Sequence, residues 1–68
     1  MKDFTAYYER ADGCWALKPH SGRADAMLAR EFAALGDVDL TLSDVCAIIV
    51  RARASGMVVV AILGRQFL

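Results

Sequence analysis

Met57-Val58-Val59-Val60-Ala61-Ile62-Leu63 runs seven residues without a charge or a proline, between Gly56 and Gly64. Its length and its β-branched residues read as a strand buried on both faces; a helix would need ten or more residues. The uncharged stretch around it, residues 54–64, would make about 16 Å of helix, roughly half the hydrocarbon core of a bilayer. It is therefore no membrane span.

At the other end of the chain, residues 3–11 alternate. Phe4, Ala6, Tyr8 and Arg10 fall on one face of a strand, Thr5, Tyr7 and Glu9 on the other. Asp12-Gly13 follows, the strongest short hairpin signal, because a type I′ turn needs positive φ at both central residues. Residues 14–18 then return. A two-residue loop sets Ala11 opposite Cys14, Arg10 opposite Trp15 and Tyr8 opposite Leu17. Arg10 would lie over Trp15 as a cation–π pair, and Glu9 diagonal to Lys18. Phe4, Ala6, Tyr8, Trp15 and Leu17 form the core face. Pro19 ends the second strand.

Two helices fill the middle. Ser21 reads as an N-cap, residues 22–35 as helix, and Gly36 as the residue past its end. Ala24, Leu28, Phe32 and Leu35 make its apolar stripe, widened by Met27. Asp37 to Leu42 alternates apolar and polar residues like a short strand, but a loop and helix start is the better reading. Thr41 with Asp44 three residues on resembles a capping box, and Leu40 with Val45 a hydrophobic staple. The second helix runs to Ser55, before Gly56. Its stripe is Leu42, Val45, Cys46, Ile49 and Ala52, flanked by Ile48 and Val50, with Arg51 solvated and Arg53 within the stripe.

The expected fold is α+β, in the order β-β-α-α-β: a three-stranded sheet with two helices packed on one face, a single small domain over residues 1–68. The helices reverse direction twice, so the third strand runs parallel to the first. The tight hairpin leaves no gap between the first two strands, which sends the third to a sheet edge. An edge strand apolar on both faces invites pairing and is normally blunted by charge or proline. Residues 57–63 carry neither. With one row packed inward, the other would forgo roughly 4–9 kcal/mol of burial. A second copy covering it resolves the conflict.

Composition points the same way. The chain has 68 residues, 57% of them hydrophobic and 24% charged, with zero net charge. That is too apolar for disorder and too neutral for a dedicated polyanion binder; Arg51 and Arg53 point about 160° apart on a helix and make no basic patch. A domain this small buries only about 60% of its unfolded surface and needs a staple. Cys14 and Cys46, far apart and outside any C-x-x-C motif, read as small buried thiols. Cys14, His20 and Cys46 lack the close-spaced pairs of a zinc site, so no metal and no cofactor is expected. Oligomerisation is the staple left. Charges at Lys2, Asp3, Glu9 and Arg10 leave no signal-peptide core. The expected location is the cytoplasm, and the many arginines and alanines hint at a GC-rich, bacterial genome.

The leading expectation of function is a non-catalytic, self-associating interaction or regulatory module, a homodimer, with another protein chain as the alternative partner and neither nucleic acid nor membrane involved. Its interface would use Tyr7, Met57, Val58, Val59, Val60, Ala61, Ile62, Leu63 and Phe67. The alternative is an anion site at a helix N-terminus, built from Lys18, His20, Ser21, Gly22 and Arg23 and taking a phosphorylated ligand, nucleic acid included. The third is a thiol enzyme pairing His20 with Cys14 or Cys46.

Overall fold

The computed structural model describes residues 2–36 and 38–62. Strands β1 (Phe4–Glu9) and β2 (Cys14–Pro19), helices α1 (Gly22–Leu35) and α2 (Leu42–Ala54), and strand β3 (Val59–Ile62) follow in that order. The sheet is mixed. β1 lies in the centre, antiparallel to β2 and parallel to β3, so β3 is an edge strand as its topology requires.

The hairpin register departs from expectation by two residues. Tyr8 faces Trp15, Ala6 faces Leu17 and Glu9 faces Cys14. Residues 10–13 form a four-residue loop closed by Gly13 N–H donating to the Glu9 carbonyl at 2.8 Å. Within this loop only Gly13 has positive φ, at 69°, and Asp12 does not; the type I′ turn, which needs both, is not adopted. Arg10 consequently lies in the exposed loop, and the ring meeting Trp15 is Tyr8, edge to face at 5.4 Å. A slip of two leaves every side chain on its own face, so the expected core face survives.

Both helix starts follow their local chemistry. Ser21 Oγ accepts from Ala24 N–H at 3.2 Å. Thr41 and Asp44 exchange both bonds of the capping box. Gly36, at φ 82°, closes α1 by donating to the Phe32 carbonyl.

Both helices cover one face of the sheet. Phe4, Ala6, Leu17 and Val59 meet Ala24, Met27 and Leu28 of α1 and Val45, Ile48, Ile49 and Ala52 of α2 in one core. Phe32 stands 39% exposed, outside that core. Each i+4 step advances a helix by about 40° beyond a full turn, so two steps from Ala24 carry Phe32 onto the flank. The same drift takes Leu42 and Cys46 out of the α2 stripe; both are exposed, as is the flanking Val50, and Cys46 is no buried thiol. Arg51 is exposed, as expected, and also forms a two-pronged pair with Glu31 that ties α2 to α1.

Candidate functional site

Two groups of residues stand apart from the core: the junction where β1, β2, α1 and β3 begin or end, and the sheet face opposite the helices.

Asp3 organises the junction. It is nearly buried, and its carboxylate accepts four hydrogen bonds. Ser21 Oγ donates to Oδ1 at 2.7 Å, Arg23 donates through Nε and Nη2 at 2.9 Å each, and Val58 N–H donates to Oδ2 at 2.9 Å. The Asp3 backbone completes the knot: its N–H donates to the Val58 carbonyl and its carbonyl accepts from His20 N–H, each at 2.7 Å. Arg23 Nη2 also reaches the Gly56 carbonyl at 3.2 Å. The Arg23 guanidinium, with the Val58 and Ser21 donors, holds the Asp3 carboxyl far below the usual carboxylate range, and Asp3 in turn raises Arg23.

The residues expected to hold an external anion are thus brought together around an internal one. Ser21 and Arg23 are committed to Asp3. Gly22 opens α1, while Lys18 and His20 are exposed, the His20 ring Nε2 lying 2.8 Å from Thr5 Oγ1. A helix N-terminus favours a carboxylate by the same physics that would favour a phosphate.

Cys14 is not brought to His20. Cys14 and His20 lie at opposite ends of β2, about 20 Å apart along the strand. Desolvation, with Asp12, Asp39 and Glu9 nearby, pushes the Cys14 thiol up, the opposite of activation. Among the described residues no group of three or more His, Cys, Asp or Glu could hold a metal ion, and no helix is long and apolar enough to cross a membrane.

The outer sheet face is the other group. Val58 precedes β3, and Val60 and Ile62 follow on the same side; they are 53, 37 and 39% exposed. The parallel register sets Val60 beside Thr5 and Ile62 beside Tyr7, and Ala16 of β2 pairs with Tyr7 on its other side. Glu9 and Lys18 bound the face on β1 and β2. Met57, Val59 and Ala61, also expected at the interface, lie on the helix side of the strand: Val59 is buried opposite Phe4, and Met57 and Ala61, half-buried, pack against the same cluster. Strand alternation leaves each residue of β3 only one outward side. Leu63 and Phe67, also expected at the interface, lie outside the described residues.

The edge of β3 is partly capped. Val58 turns its N–H and carbonyl toward Asp3 on the β1 side, so alternation points the Val59 carbonyl away, to the open edge. Arg53 Nη2 donates to it at 3.4 Å. Arg53 is the charge that the strand itself lacks, supplied from α2.

Comparison of the chain with family models, with curated proteins and with solved structures finds no match.

Proposed function

We propose that this chain is a non-catalytic, self-associating interaction module whose contact surface is the outer face of its sheet. The observation that carries the reading is the exposed row Val58, Val60 and Ile62 beside Tyr7 and Ala16. Covering what remains exposed of that row is worth roughly 2–4 kcal/mol per protomer. This is less than full exposure would give, yet a sizeable part of a small domain's net stability.

Face-to-face packing fits better than edge-to-edge pairing. Arg53 occupies an acceptor on the β3 edge, whereas among the described residues no element lies over the outer face. Two sheets packed about 10 Å apart would bury the aliphatic row and Tyr7 at the centre and leave Glu9 and Lys18 at the rim. A second copy is the fitting occupant because the net charge is zero, so two copies carry no overall repulsion.

Val60→Lys tests this reading. The side chain points outward, so the variant should keep the parent's circular dichroism while its dimer dissociation constant rises at least tenfold. A variant that associates as tightly as the parent would refute the sheet face as the contact.

A further inference from the structure

The chain's single histidine stands on the sheet face opposite the helices. His20 N–H donates to the Asp3 carbonyl at 2.7 Å, which carries the β1–β2 ladder one residue past Pro19. Alternation therefore turns His20 to the side of Ala16 and Lys18, away from the core. Its exposed ring lies on that side, with Nε2 2.8 Å from Thr5 Oγ1. Thr5 in turn sits between Lys18 on β2 and Val60 on β3, so the imidazole borders the aliphatic row. The groups facing it come from three strands and one helix. β1 supplies the Thr5 hydroxyl and the Asp3 carbonyl, β2 the Lys18 ammonium on the same side, and β3 only the apolar Val58 and Val60. Ser21 and Arg23 of the α1 entry are turned to the Asp3 carboxylate, which also accepts from Val58 N–H. Glu9, the acid of this face, lies four positions along β1 from Thr5, about 13 Å away.

We infer, on the footing of the sheet-face contact proposed above, that His20 is its proton gate: the face self-associates with His20 neutral and lets go as pH falls through the histidine range. Histidine is the side chain whose charge ordinarily changes between pH 5 and 8. With the imidazole neutral, this face sets one positive charge, Lys18, against one negative, Glu9, and two copies meet in balance. Protonation adds a second positive charge beside Lys18, and a two-fold contact brings that excess in from both sides. The partner's Glu9 is then one acid against two bases. Covering the face would also strip water from an imidazolium, which burial disfavours. The bond to Thr5 does not offset these costs. Both ring nitrogens of an imidazolium donate, so Oγ1 accepts from Nε2 in the charged state as it does in one neutral tautomer. The sign follows by linkage. The contact favours the neutral form, association releases protons, and the dimer is strongest above the histidine range and weakens below it. The Asp3 latch does not share this window, because its carboxyl is held far below the usual carboxylate range.

Sedimentation equilibrium of the full chain at about pH 7.5 and about pH 5.5, at one salt concentration and with circular dichroism recorded at each, reads the gate. The dimer dissociation constant of the parent should rise at least tenfold at the lower pH while the dichroism stays the same. His20→Gln, which keeps a group able to bond Thr5 and cannot charge, should cut that ratio to less than threefold. His20→Lys, charged at both pH values, should also flatten the ratio, with a dissociation constant at pH 7.5 at least tenfold above the parent's. A parent that associates equally at both pH values, or a His20→Gln chain that keeps the parent's ratio, overturns the gate and leaves the sheet-face contact standing. Tighter association at pH 5.5 overturns the gate as well, by reversing its sign. A parent that stays monomeric at both pH values, or a Val60→Lys chain that associates like the parent, removes the contact itself and the gate with it.

Discussion

Asp3 draws on partners 17 to 55 positions away, His20, Ser21, Arg23 and Val58, which is why nothing in the local sequence singles it out. The pattern around Ser21 and Arg23 is legible as an anion site; that the anion is the chain's own carboxylate follows only from the fold bringing β1 to the start of α1. The pH dependence follows in sign from the depressed carboxyl. A folded-state pKa far below the ordinary 3.8 means the Asp3 contribution is fully present above about pH 4 and is lost as pH falls below it toward the folded value. Asp3→Asn should lower Tm at neutral pH by on the order of 10 °C and flatten the acid limb of a Tm-against-pH curve. A variant with the parent's acid limb would remove Asp3 from the account. Gly13 is the second residue on which the local chain depends. Its φ of 69° is open space for a side chain, with only Tyr8 Oη 3.9 Å from where a Cβ would lie. The cost of a larger residue is therefore in the backbone: Gly13→Val should destabilise by about 1–2 kcal/mol in urea unfolding, and Gly13→Asn by less. Equal stability of parent and Val variant would contradict the left-handed turn.

At the scale of elements, what is local was legible and what depends on a neighbour was not. Ser21, Gly36, Thr41 and Asp44 announce helix ends because caps are satisfied within three or four residues. The Asp12-Gly13 pair announces a turn, but its length depends on how Tyr8 and Trp15 meet across the strands, and the register moved by two. Stripes were read correctly for Val45, Ile49 and Ala52 and incorrectly for Leu42, Cys46 and Phe32. An i+4 series drifts around the helix, and an almost wholly apolar α2 does not say which arc its own sheet takes. β3 was legible as an edge strand; its inward row could be named only once Val59 stood opposite Phe4. That orientation is testable on adjacent residues. Val59→Lys forces a charge into the core and should unfold the chain, while Val60→Lys should fold with the parent's circular dichroism. The opposite ranking would invert the strand.

At the scale of the molecule, two surfaces remain apolar among the described residues after the core is formed: the sheet face at Val58, Val60 and Ile62, and the α2 flank at Leu42, Cys46 and Val50. The first was legible in the sequence, though not which row of β3 it takes; the second was not, because Leu42 and Cys46 read as part of the core stripe. A chain that is 57% hydrophobic over 68 residues carries more apolar side chains than one small core encloses. Self-association is the claim on which the rest turns, and solution mass tests it most directly. Sedimentation equilibrium of the parent chain, from low to high micromolar at neutral pH and moderate salt, should show the average mass rising from 7.4 kDa to at least twice that value. A mass that stays at 7.4 kDa across the whole series would contradict it.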